Sequence, residues 1–184
     1  MSGAAWAYLG ALAVVVAALA VALVGTARRR PVLGLAALVP AAAGVVMHAG
    51  HLEVTAPRHA WVAVLSAAMA ALGVVAGSPL TVWVLARTEP PATVTGPTGG
   101  ILVGRPGAQD EILRGGTTIG YLERLAVVGA TAVGRLEIVA AVIAVKGLGR
   151  FSELSSAIAR ERFIIGTLVS LLWAGLCGAL VWPL

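Results

Sequence analysis

Charged side chains are scarce in this chain. Only 11% of its 184 residues are Asp, Glu, Lys or Arg, against about 25% in an average soluble domain. With 59% of the residues hydrophobic, that scarcity excludes an ordinary water-soluble fold. Cysteine is nearly absent: the single Cys177 makes no intrachain disulfide and supplies no Cys/His metal spacing. Inside an apolar block, a lone thiol acts as a small apolar residue. No basic stripe with interleaved aromatics occurs, and the longest basic run is Arg28, Arg29 and Arg30. The net charge of +5 therefore reads as the orientation signal of a membrane protein with some affinity for anionic lipid. It does not read as a nucleic-acid footprint.

What the chain does have is apolar sequence in blocks of about 20 residues, the length that crosses a bilayer. The blocks run from Ala4 to Gly25, Pro31 to about Ala49, Trp61 to about Leu85 and about Ser156 to Val181. Pro31 sits in a first helical turn, where proline is tolerated. The expected class is all-α: a polytopic membrane bundle of four long membrane helices plus a short charged helical hairpin, which can be re-entrant. Residues 1–86 then form three transmembrane helices. Residues 87–117, rich in Pro, Gly and Thr, form a flexible cytoplasmic loop. Residues 118–184 hold the hairpin, a polar connector and the last helix. The first block lacks a basic segment before it and exceeds a signal-peptide core in length, so it is expected to stay as an anchor. "TGPTGGILVGRPG" lacks the lysine and preceding strand of a phosphate loop, and reads as linker.

The hairpin comes from a conflict. Arg28–Arg30 put the link after the first block on the cytoplasmic side, with the N-terminus outside. A single helix from Ile119 to Lys146 would be about 42 Å long. It would carry Lys146, Arg150, Arg160 and Arg162 outside. It would also hold Arg135 and Glu137 in lipid at a cost of about 3 kcal/mol each. A polar turn at "VGRLE", Val133 to Glu137, removes both faults. Its limbs, Thr118 to Ala132 and Ile138 to Lys146, suit partial insertion better than two full spans.

The segments "RGGTTIGYLERLAVV", "AVKGLGRFSEL" and "ERFIIGTLVSLLWA" resemble a family of bacterial integral membrane proteins of unknown function. The resemblance covers about residues 114 to 178. Its pattern is of the type G-x-x-I-G-x-L-E-R, A-V-K-x-x-x-R-F-x-E-L and E-R-F-I-I-G-T-x-x-S. The matching residues are Gly120, Leu122, Glu123, Arg124, Lys146, Arg150, Phe151, Glu153, Arg162, Gly166, Thr167 and Ser170. The resemblance implies a turn between the first two segments. It implies no activity, substrate or cofactor.

Three constellations remain. The hairpin is expected to gather Glu123, Arg124, Lys146, Arg150, Glu153, Glu161 and Arg162 at the cytoplasmic interface as anchors and salt bridges, or as a site for a partner or an anionic headgroup. Arg135 and Glu137 mark its tip. Gly166, Ser170, Ala174 and Gly178 recur every four residues, a small-residue row that lets another helix, or a second subunit, approach closely. His48, His51, Glu53 and His59 cluster near the outer face as weak metal candidates, without an H-E-x-x-H motif. Boundary polarity is the simpler account of these histidines, and no metal or other cofactor is assigned. No catalytic residue is assigned either, since no G-x-S-x-G elbow or spatial Ser/His arrangement is legible. The expected function is a non-enzymatic membrane subunit or scaffold. It sits in the lipid bilayer and binds a protein partner, a second copy or lipid, but not nucleic acid. The alternative is a small oligomeric channel or transporter built on the hairpin.

Overall fold

The computed structural model describes residues 3–50, 59–88, 116–150 and 157–181. The elements are α1 (Gly3–Ala27), a 3-10 segment (Pro31–Ala37), α2 (Leu38–Ala49), α3 (His59–Leu85), α4 (Gly116–Ala132), α5 (Leu136–Arg150) and α6 (Ala157–Val181). Among the described residues every regular element is helical, and four stretches are long and apolar enough to cross a membrane: Ala5–Ala27, Pro31–Ala49, Ala60–Leu85 and Ala159–Val181. The chain is a helical membrane bundle. The loop read over 87–117 and the connector before α6 lie almost entirely outside the described residues.

The second span is a hybrid. Its first seven residues rise as a 3-10 helix, about 2.0 Å per residue, and the twelve of α2 rise about 1.5 Å each, so 19 residues reach about 32 Å. An all-α segment of the same length would fall slightly short of a typical bilayer core, about 30 Å thick. The cause lies in packing. A Cβ on Gly34 would come within 2.9 Å of Pro79 Cβ and 3.1 Å of Leu80 N, so the 3-10 backbone lies directly on α3.

Among the described residues, the two sharp reversals use the same helix stop. At the end of α4, Arg135 N–H donates to Ala130 O at 2.8 Å and Gly134 N–H to Thr131 O at 3.1 Å. Gly134 takes φ +69°, the left-handed cap that glycine adopts without strain. At the end of α1, Arg30 N–H reaches Gly25 O at 2.8 Å and Arg29 N–H reaches Thr26 O at 3.3 Å. There the left-handed residue is Arg29, with φ 52°.

The hairpin is longer than its sequence limbs. α5 begins at Leu136 and runs to Arg150, four residues past Lys146, because Gly147 and Gly149 stay helical. The limbs measure about 26 Å and 22 Å at helical rise. Neighbouring glycines fix their depth. Gly178 of α6 lies against Val128 and Thr131 of α4, and Gly73 of α3 against Val128 and Cys177. α4 thus runs parallel to α6 and antiparallel to α3, and the turn Val133–Arg135 reaches the Val181 end of α6. The tip is not shallow: it spans nearly the height of the bundle. The opposite end, here the basic end, carries Arg28–Arg30, Arg87, Arg160 and Arg162.

That depth gives a labelling prediction. Val133 is 61% exposed. A Val133→Cys variant in a Cys177→Ala background is expected to react with a membrane-impermeant maleimide at the face opposite the basic end. A cysteine at Ala157 should react only from the basic side. Reaction of both from one side would contradict the depth.

Candidate functional site

The centre of the bundle is built around one cation. Arg124 of α4 is 3% exposed. Its Nε–H donates to Val74 O at 2.5 Å, one terminal nitrogen to Ser170 Oγ at 3.1 Å, and the other to Ser78 Oγ at 2.7 Å. Ser170 is the middle residue of the span Ala159–Val181, and Val74 lies near the middle of Ala60–Leu85. An arginine at that height in lipid costs at least about 2.5–3.5 kcal/mol unless the protein receives it. Here α3 and α6 each supply acceptors, so the guanidinium ties α4 to both. The Tyr121 ring adds a cation–π contact, its centroid 5.0 Å from the guanidinium carbon.

The local sequence explains why α3 can serve. Its "GVVAG", residues 73–77, is a G-x-x-x-G pair that opens a slot for α4. A Cβ on Gly77 would come within 2.9 Å of Arg124 Nε, and one on Gly120 within 3.3 Å of a terminal nitrogen. Pro79 follows inside the helix. It has no N–H, so the carbonyl four residues back, on Val75, loses its ladder donor. Arg124 binds the adjacent carbonyl of Val74 at this interrupted turn.

Beside Arg124, Glu123 pairs with Lys146 of α5. Their side chains are 11% and 17% exposed, and the Lys146 amine stands 5.9 Å from the centre of the Phe163 ring on α6. This pair joins the two limbs. The three charges sum to +1 with Arg124 counted.

Glu123, Arg124 and Lys146 therefore depart from the interfacial placement expected of them. They lie within the height of the spans, and Arg124 meets neutral acceptors where an ion pair was expected. The reason is that α4 enters deeply: Arg124 can stay because α3 and α6 present hydroxyls and a carbonyl at that level, and Glu123 and Lys146 because they pair with each other. Glu161 is exposed and Arg162 half-buried, both near the basic end. The Arg150 side chain and Glu153 lie outside the described residues. Arg135 and Glu137 pair at 3.3 Å across the tip, 68% and 66% exposed. In the small-residue row, Gly166 faces Thr81 and Leu85, Ser170 holds Arg124, Ala174 is fully buried and Gly178 meets α4. The row packs within the chain. His48 is exposed at the end of α2. His51, Glu53 and the His59 side chain lie outside the described residues, and among the described residues no metal-binding group occurs.

Sequence reasoning missed Ser78, Val74, Gly73 and Gly77. The G-x-x-x-G pair followed by Ser-Pro was the available signal. Trp173, buried at mid-helix, donates Nε1–H to Leu72 O at 3.4 Å.

Removal of one ion-pair partner should be felt. Glu123→Gln leaves the Lys146 amine without its counter-charge, which for a fully trapped ion costs about 3–5 kcal/mol. Lys146 keeps a route out, since its stem can snorkel toward the basic end, so a loss of about 1–2 kcal/mol is expected. Unfolding in mixed micelles measures it. The double variant Glu123→Gln/Lys146→Met should recover most of the loss, and no recovery would show that the two groups act separately.

A groove of about 310 Å³ runs between α4, α5 and α6, lined by Val127, Val139, Ile143, Thr167, Leu171 and Gly175 among others. The Thr131 hydroxyl on its wall donates to Val127 O of its own helix.

No family model, curated protein or solved structure matches the chain.

Proposed function

We infer that the protein is a non-enzymatic subunit or scaffold of the bacterial cytoplasmic membrane, with its N-terminus outside, that offers its hairpin to a partner. One observation carries this reading. The Arg124 guanidinium and the Glu123–Lys146 pair are each satisfied within the chain, while among the described residues the α5 backbone packs closely against α4 only. Its outward face, Ile138, Val145 and Leu148, is exposed among the described residues. The gathering of Arg28–Arg30, Arg87, Arg160 and Arg162 at one end supports the orientation.

Affinity purification of the full chain from native membranes tests it. A stoichiometric membrane partner is expected, and Val145→Trp/Leu148→Trp should release it. Lipid deforms around a new indole, whereas a packed partner helix does not. Leu23→Trp, on the exposed side of α1, should leave the complex intact. Purification without a partner, unaffected by the α5 variants, would count against the reading.

A second reading, a small oligomeric transporter, draws on the proline-interrupted turn of α3 beside a mid-height arginine. Interrupted helices near the midplane hold substrates in many transporters. Anion flux in proteoliposomes that Arg124→Met abolishes would favour it. Arg135 and Glu137 serve as its outer gate pair, so Arg135→Gln/Glu137→Gln should alter that flux.

A further inference from the structure

We propose that the groove between α4, α5 and α6 is a binding site for a single anionic phospholipid, with one acyl chain along the groove and the headgroup at the basic end, on the side of Arg160 and the Lys146 stem. This extends the partner reading to a different surface: the groove side of α5 carries Leu136, Val139 and Ile143, and the partner face carries Ile138, Val145 and Leu148. At about 100° per residue the two faces point roughly opposite ways.

The choice of occupant rests on four observations. The groove lies within the height of the spans, where hydrocarbon and not water is the surrounding medium. Its lining is apolar apart from two threonines, and the Thr131 hydroxyl is engaged with its own helix, so water would find few partners there. It opens sideways, since Leu136, Ile143, Leu168 and Leu172 on its walls are exposed, and a chain can enter from the bilayer. Its inner end is marked by charge. Lys146 follows Ile143 by one turn on α5, and Phe163 precedes Thr167 by one turn on α6; the amine and the ring lie 5.9 Å apart. The Glu123–Lys146 pair sums to zero and Arg124 is buried against α3 and α6, so the positive excess comes from the basic end beyond, where Arg160 is exposed and Arg162 lies beside Phe163, with one acid, Glu161, between them. An anionic headgroup complements this arrangement, and a zwitterionic one does not.

Gly175 offers a clean test, because a Cβ there meets nothing within 4 Å. The full chain is stripped of lipid in detergent, then supplied with phosphatidylglycerol or phosphatidylcholine of identical chains, and adducts are counted by native mass spectrometry. The parent protein is expected to retain one phosphatidylglycerol at least ten-fold more tightly than phosphatidylcholine. Gly175→Phe fills the groove and should lower retention of both lipids by at least ten-fold, with the melting temperature unchanged. Leu168→Trp, at an exposed wall position, should act the same way and guards against misfolding of the first variant. Lys146→Met/Arg160→Gln, which removes two positive charges from that end, should keep one lipid but lose the preference between headgroups, whereas Glu123→Gln/Lys146→Met, which leaves the net charge unchanged, should keep both. Equal retention of the two lipids by the parent would overturn the headgroup assignment. Unchanged retention in Gly175→Phe and Leu168→Trp would overturn the site. A parent dimer that both variants dissociate would assign the groove to a second copy instead. Loss of the protein partner has no bearing on these outcomes, since it reads the other face of α5.

Discussion

Arg124→Ala is expected to cost about 3–5 kcal/mol, enough to remove most folded protein from a marginally stable bundle. The variant loses a long side chain that fills the slot between Gly77 and Gly120, and it unties α4 from Val74, Ser78 and Ser170 at once. Arg124→Met should behave differently. Its stem fills most of the slot, and no charge has to be held away from water. Replacing a buried charge by an apolar residue of similar volume is often neutral or stabilising. Stability within about 1 kcal/mol of the parent, or better, is therefore expected for Arg124→Met. The comparison is read by unfolding in mixed micelles. Should Arg124→Met fall as far as Arg124→Ala, packing would be the lesser part, and the hydrogen-bonded charge would be what holds the hairpin.

The second large effect is expected at Gly178. A Cβ there would come within 2.7 Å of Val128 O and 2.6 Å of Thr131 Oγ1. The carbonyl belongs to the α4 backbone, so no rotamer change relieves the contact, and α4 and α6 must separate. Gly178→Leu should cost about 3 kcal/mol or more through overpacking. Gly129, on the same hairpin limb, has nothing within 4 Å of its would-be Cβ. Gly129→Ala should be neutral or gain up to about 1 kcal/mol from helix propensity. Folded yield and melting temperature of the two variants, side by side, separate close helix approach from a general intolerance of larger residues. Equal behaviour would refute the close approach of α4 and α6.

The four spans were legible almost to the residue, since each is an apolar run of bilayer length bounded by polar or Pro/Gly sequence. The hairpin was legible from its charges, and Gly134 confirmed where the chain turns. The end of α5 was not: the limb expected to close at Lys146 continues through Gly147 and Gly149 to Arg150. The 3-10 segment was not legible either: it answers to contact with Pro79 and Leu80, which are distant in sequence. The depth of Arg124 was hidden for a similar reason. Placing a charge by its cost in lipid sends it to an interface, and only the fold shows that Ser78 and Ser170, 46 residues away on either side, lower that cost. Local sequence held one missed clue, the G-x-x-x-G pair at Gly73 and Gly77.

The parallel run of α4 and α6 bears on the order in which the protein is made. Synthesis delivers α3 first, then the hairpin, and α6 last. Until α6 is inserted, Arg124 has Val74 and Ser78 but lacks Ser170, and α4 lacks the wall formed by Leu171, Ala174 and Gly178. The hairpin leaves the ribosome as an unfinished passenger, carrying three charges within the height of the spans. Its seating is completed only when the C-terminal helix arrives, so a chain that stops before Ala157 strands the hairpin without its third wall.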